Sequence, residues 1–219
     1  MCGRFYIEPT DPLIRDFLEQ VKRSPLTERF RENNERKIPA IGEIYPSSVV
    51  PVIALSRIMK QTVFPMKWGF TMKDESERGP GKLMINARSE SAAEKPMFRE
   101  SWRKRRCVIP ASWYFEWEHY TLPDGRKKVG RKYAISPRGK KVVWLAGLYR
   151  MEKELPVFTI LTRAPSEDVS WMHDRMPLMI PESGISAWIS PDIAPETVLP
   201  EAITALTCEE AYGSPGGKI

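Results

Sequence analysis

The chain has 219 residues, 42% of them hydrophobic, a formal net charge of +6 and a pI near 9.2. That length and apolar content suit one compact domain with a sizeable core. The absence of any run of about 18 apolar residues, or of a charged leader ahead of an apolar stretch, speaks against a helical membrane protein and predicts a soluble, unexported one.

Asp11 to Lys22 carries Leu13, Ile14, Phe17, Leu18 and Val21 at helical spacing behind a Thr10 or Asp11 cap, which predicts an amphipathic helix. Ser24 to Gly42 is polar, charge-rich and unpatterned, and reads as a loop with room for a short helical turn. From Val49 onward β signals dominate. The stretches 49–55, 61–70, 83–87, 107–117, 132–135, 142–149 and 157–162 are short, β-branched or aromatic, and bounded by Gly, Pro or charged turns. Pro123, Asp124 and Gly125 mark a tight turn at a hairpin tip. Helices are expected over Pro165–Met172, Glu182–Trp188 and Glu201–Glu210, and the tail over 211–219 is expected to be disordered.

Cys2, Cys107 and Cys208 are odd in number and contain no CxxC pair, so neither a disulfide framework nor a metal site is expected, and the thiols should be free in a reducing compartment. The positive charge favours a polyanionic partner. It gathers in two clusters, Arg99 with Arg103 to Arg106, and Arg126 to Lys128 with Arg131 and Lys132, each of which could equally be a solvated face.

Four residues have the chemistry of a reactive site. Cys2 follows Met1 directly, and removal of the initiator methionine would leave an α-amine and a thiol on one residue. Such an aminothiol captures an aldehyde first as an imine and then as a five-membered thiazolidine. Asn86 and Arg88 lie two apart in an apolar strand and so share a face. Glu116 stands among Trp113, Tyr114, Phe115 and Trp117, surroundings suited to general acid/base work. His173 brings an imidazole, which titrates near neutrality, whereas His119, beside charged hairpin residues, reads as surface.

Met1-Cys2-Gly3-Arg4-Phe5, Trp68-Gly69-Phe70, Ile85 to Glu90, Arg106 to Ala111, Phe115-Glu116-Trp117 and His173 to Pro177 together resemble the SRAP family, the SOS-response-associated peptidases, in the family's order. The resemblance implies an α+β fold, a single compact domain whose barrel-like, mainly antiparallel β core is flanked by helices. It implies a monomer, cytoplasmic and associated with the nucleoid when bound to DNA, that crosslinks itself to abasic sites in single-stranded DNA without a cofactor. Cys2 would be the aminothiol, Asn86 would hold the N-terminal region and the opened sugar, Glu116 would aid proton transfer, and His173 would assist ring opening and crosslink reversal. Arg4, Arg88 and Arg175 would contact the DNA backbone, with Trp68 and Phe70 as stacking platforms. The peptidase of the family name would be autocatalytic removal of residues ahead of Cys2, of which only Met1 is present.

Two departures stand out. Gly42 to Ser48 replaces an Asn-Val-Ala-Pro-like segment, and the family's usual Val-Ser and paired-Asn ending is missing. Two other classes share some of the features. Glutamine amidotransferases with an N-terminal cysteine also begin Met-Cys-Gly, but here Arg4-Phe5 replaces their small apolar strand and their Arg-Gly motif is missing. A non-catalytic DNA-binding module would use the same basic and aromatic residues.

Overall fold

The computed structural model describes residues 2–33, 35, 37–72 and 81–211. The chain runs through β1 (Arg4–Ile7), α1 (Pro12–Arg23), α2 (Pro25–Glu32), β2 (Gly42–Ile44), β3 (Val49–Leu55) and β4 (Gln61–Trp68). It continues through β5 (Phe70–Met72), β6 (Lys82–Met84), β7 (Asn86–Arg88), α3 (Pro96–Lys104), β8 (Arg106–Ala111), β9 (Trp113–Thr121) and β10 (Lys127–Pro137). β11 (Val143–Glu152), β12 (Leu155–Arg163), β13 (Met176–Pro177), α4 (Ile185–Ile189) and β14 (Leu206–Glu210) complete it.

Five strands close on themselves in the order β11-β8-β3-β4-β12, with β11 pairing β12 to seal the barrel. All of these pairs are antiparallel except β12 with β4, and β7 joins β12 in parallel from outside the ring. A second sheet, β14-β10-β9-β1-β2, is antiparallel throughout. The barrel-like α+β core read from the sequence is therefore present.

The barrel strands read as nearly continuous apolar runs because both of their faces are covered. Along β3, Val50, Val52 and Ala54 pack with Phe5, Ile109 and Tyr114, while Val49 and Ile53 pack on the other side with Phe98, Trp102 and Trp188. α1 starts where the Asp11 carboxylate accepts from the backbone N–H groups of Leu13 and Ile14, at 2.9 and 3.1 Å, ahead of Pro12. It buries Ile14, Leu18 and Val21.

Several expectations require correction. The unpatterned Ser24–Gly42 segment holds a two-turn helix, α2, which buries only Thr27 and Phe30 and so shows little periodicity. The stretch 107–117 is two strands in different sheets. At Ser112 the backbone N–H turns to the Tyr6 carbonyl (2.8 Å) and the hydroxyl accepts from the Glu8 N–H (2.9 Å), handing the chain from barrel to second sheet. Gly69, at φ +118°, similarly divides 61–70 into β4 and β5. Residues 165–172 form turns rather than a helix. Within 201–210 the regular element is a strand, Leu206–Glu210, with Ile135 of β10 opposite Cys208. The final turn at Glu182–Trp188 is helical as expected, short 3-10 and α in sequence. α3 was not anticipated. The tail expected to be disordered lies, from 212 on, outside the described residues. Among the described residues, no helix is long and apolar enough to cross a membrane.

Candidate active site

β1 lies between β9 and β2, with Arg4 opposite Phe115 and Phe5 opposite Ile44. Running back from Arg4, the antiparallel register carries the Cys2 end of the chain alongside Glu116. The Cys2 side chain is buried, and its Sγ donates to the Arg4 carbonyl at 3.7 Å. Burial, and secondarily the charge of Glu116, pushes the thiol up to about 12. All three cysteines are free thiols.

Asn86 opens β7, opposite Ile160 of β12, and its Nδ2 donates to the Cys2 carbonyl at 2.9 Å. Its Oδ1 is buried with no partner among the described residues, an acceptor available to a ligand's hydroxyl or amine. Glu116 is also buried, and its Oε1 accepts from the Trp117 N–H at 3.3 Å.

His173 comes from the turn ahead of β13, which the pairing of Met176 with Arg163 anchors to β12. Its Nδ1 lies 2.7 Å from Asp174 Oδ1 and 3.0 Å from the Arg175 N–H. These contacts call for opposite states of the nitrogen. The Arg175 N–H donates to Nδ1, which is the acceptor of that bond, whereas Asp174 is an ion-pair partner of the ring only when the ring is protonated. Burial lowers the pKa of His173, against the pull of Glu116 and Asp174 in the other direction.

The His119 ring meets that of His173 edge-on, centroids 5.5 Å apart at 82°. Glu116, His119 and His173 each bring a ligand atom within 4.8 Å of the others. A cleft of about 520 Å³, lined by His119, Tyr120, Thr121 and the segment Ser170–Asp174, opens beside them. A larger cavity of about 630 Å³, between Phe30, Lys67, Gly69 and Arg150, contains none of these residues. The smaller cleft thus adjoins two members of the cluster, His119 and His173, while Cys2, Asn86 and Glu116 line neither cavity.

His119 is exposed, as the sequence suggests, but it belongs to this group. Strand alternation would put it on the face opposite Glu116. The facing strand carries a register shift between Val129 and Lys132, opposite Trp117 to His119, and nothing in the sequence of β9 itself pairs His119 with Glu116.

The residues expected to touch DNA divide sharply. Arg4 Nη1 donates to Glu43 at 2.9 Å, and its guanidinium sits 4.0 Å over the Tyr45 ring. Lys132 Nζ donates to both oxygens of the same Glu43, at 2.9 Å, and lies 3.8 Å over Phe115. Burial raises the pKa of Glu43, but these cations outweigh it and the net shift is downward. The altered 42–48 segment thus places a carboxylate between two cations, a link visible only once β1 and β10 are in space.

Arg88 is exposed and forms no ion pair among the described residues. Arg175, by contrast, is committed internally. Its two terminal nitrogens hold the Glu90 carboxylate at 2.8 and 2.7 Å, and Nη2 also donates to the Thr162 carbonyl at 2.7 Å. It is a brace between β12 and the segment after β7, not a free backbone contact.

Trp68 and Phe70 cannot be stacking platforms, because each is 0% exposed. Trp68 donates through Nε1 to the Ile85 carbonyl at 2.9 Å and packs on Phe5 and Phe158, while Phe70 packs on Phe98 under Arg150. Their sequence signal, aromatics flanking a glycine, is that of a core turn.

A family model described as "SOS response associated peptidase (SRAP)" matches residues 1–211. Abasic site processing protein YobE of Bacillus subtilis (strain 168) is 29% identical over 202 residues, spanning 87% of this chain and 83% of that protein. Abasic site processing protein HMCES of Rattus norvegicus is 27% identical over 230 residues, 86% of this chain and 64% of the relative. Among solved structures, a protein from Bacteroides thetaiotaomicron superposes with a TM-score of 0.68 at 19% identity, covering 96% of this chain and 92% of its own. A phage-related protein from Bordetella bronchiseptica gives 0.68 at 20% identity, with 98% and 96% covered. These two likenesses concern the fold.

Proposed function

The chain belongs to the SOS response associated peptidase family, and from that premise we propose that it processes abasic sites in DNA by bonding covalently to them through Cys2. The observation that carries this reading is that Asn86 and Glu116 act on the residue that removal of Met1 would make N-terminal, with His173 beside Glu116. Asn86 holds the Cys2 carbonyl, the Glu116 charge acts on the thiol, and Glu116 and His173 are near neighbours. The substrate class is supported by relatives named abasic site processing proteins.

The chemistry follows from what an abasic deoxyribose requires. The sugar is mainly a closed hemiacetal, so a base must take the proton of the anomeric hydroxyl while an acid returns one to the ring oxygen. Glu116 and His173 are the side-chain types that can share those two tasks. The Cys2 amine attacks the released aldehyde, and loss of water gives the imine. The thiol then adds across the C=N bond, with sulfur bonding to carbon and its proton ending on nitrogen. The amine acts first because sulfur closes the ring only by adding to the C=N bond that the amine has formed. The partner is proposed to be single-stranded DNA, with Arg88 and Arg4 near its phosphates.

Intact-protein mass spectrometry tests the proposal, before and after incubation with a single-stranded oligonucleotide bearing one abasic site. Loss of the Met1 mass followed by a stoichiometric adduct is expected, absent with intact DNA and with Cys2→Ala. A stable adduct from Cys2→Ala, or none from the wild-type chain freed of Met1, would overturn it.

A further inference from the structure

We propose that Glu116, His119 and His173 bind one divalent transition-metal ion of the zinc type, and that the ion reversibly blocks the reaction at Cys2. The site stands on its own geometry, whereas the blocking rests on the crosslinking reading above. Two imidazoles and one carboxylate are a donor set that such ions favour. Bonds of about 2.1 Å in a tetrahedral shell put donors about 3.4 Å apart. The three ligand atoms already lie within 4.8 Å of one another, and rotation of the exposed His119 side chain closes the difference.

Two further features fit an ion. His173 is held at Nδ1, which accepts from the Arg175 N–H at 3.0 Å with Asp174 Oδ1 2.7 Å away, so the ring is already oriented. The cleft lined by His119 and His173 gives access from solvent. No cysteine spacing announces the site, because its ligands come from the far part of β9 and from the turn ahead of β13.

Coordination would take the lone pairs of Glu116 and His173 and occupy the space between them. Both groups would then be withdrawn from opening the sugar. Nothing in the chain is oxidised or cleaved, so a chelator would restore the reaction.

The test uses the chain freed of Met1, in wild-type, His119→Ala and Cys2→Ser forms. Equilibrium dialysis with Zn²⁺ and the absorption of bound Co²⁺ read the site directly. Adduct yield with chelator, divided by yield with Zn²⁺, reads the block within each variant. Wild type should bind one ion, and His119→Ala should weaken binding at least about tenfold. The chelator-to-zinc ratio should be large for wild type and close to one for His119→Ala at the same Zn²⁺ concentration. Equal binding by wild type and His119→Ala would overturn the proposal, as would binding lost in Cys2→Ser but kept in His119→Ala, which would put the ion on the aminothiol. Zinc bound through His119 by a wild-type chain that forms no adduct even with chelator would refute the crosslinking reading and leave the metal site standing.

Discussion

Asn86 fixes the Cys2 main chain with one hydrogen bond from Nδ2, while its Oδ1 has no partner among the described residues. Asn86→Ala removes both, freeing the reactive residue to move by an ångström or so within an intact barrel. We expect adduct formation to slow by about ten- to a hundredfold with little change in melting temperature, as measured by single-turnover gel assay and thermal unfolding. A second residue-scale prediction concerns Glu90, whose carboxyl the Arg175 guanidinium holds down to about 2. Its folded pKa is below its ordinary value of 4.5, so the pair's stabilisation is full above that value and is lost as pH falls toward about 2. Urea unfolding of Glu90→Gln should therefore show a shallower decline in stability across that interval than wild type. Because Glu90 is half-exposed, solvent screening keeps the difference small.

At the scale of elements, the barrel depends on Gly147, where β11 meets Cys107 of β8 on one side and Ile160 of β12 on the other. A Cβ there would come within 2.7 Å of the Ile109 side chain and 2.9 Å of the Thr159 carbonyl oxygen. Since backbone on a closed sheet cannot retreat, Gly147→Ala should cost about 1–3 kcal/mol, seen as a lower urea midpoint at unchanged slope. β3 was legible to the residue because its apolar run ends at charged and polar turns, and α1 because its stripe and cap agree. The break at Ser112 was not, since a β-rich run looks the same whether it stays in one sheet or changes sheets. β14 was mistaken for a helix because a short, half-exposed edge strand carries so little pattern. In the candidate site, Cys2, Asn86, Glu116 and His173 stand out by residue type amid unlike neighbours. His119 and Glu43 acquire their places only from pairings between strands far apart in sequence.

Across the whole molecule, the basic clusters illustrate how charge counts mislead. Arg126 pairs with Asp124, Arg131 with Glu118 and Glu210, and Arg105 with Glu100, so much of the apparent anion-binding surface is engaged within the fold. Arg106 is buried outright. It donates to the carbonyls of Trp188, Trp102, Arg103, Ser190 and Ile193, tying α3, β8 and α4 together. Arg106→Met would leave five carbonyls short of a donor and should cost about 3–5 kcal/mol, a fall of about 10 °C in melting temperature. Arg106→Lys should recover only part of this, because an ammonium cannot reproduce the planar fork.

The placement of β1 in the interior of its sheet, with a buried residue at its head, also dictates how the protein can be handled. A purification tag fused ahead of Cys2 would cap the nitrogen that the proposed reaction uses. Fusions and surface attachments belong instead beyond β14, an edge strand whose last residues, Glu209 and Glu210, face solvent.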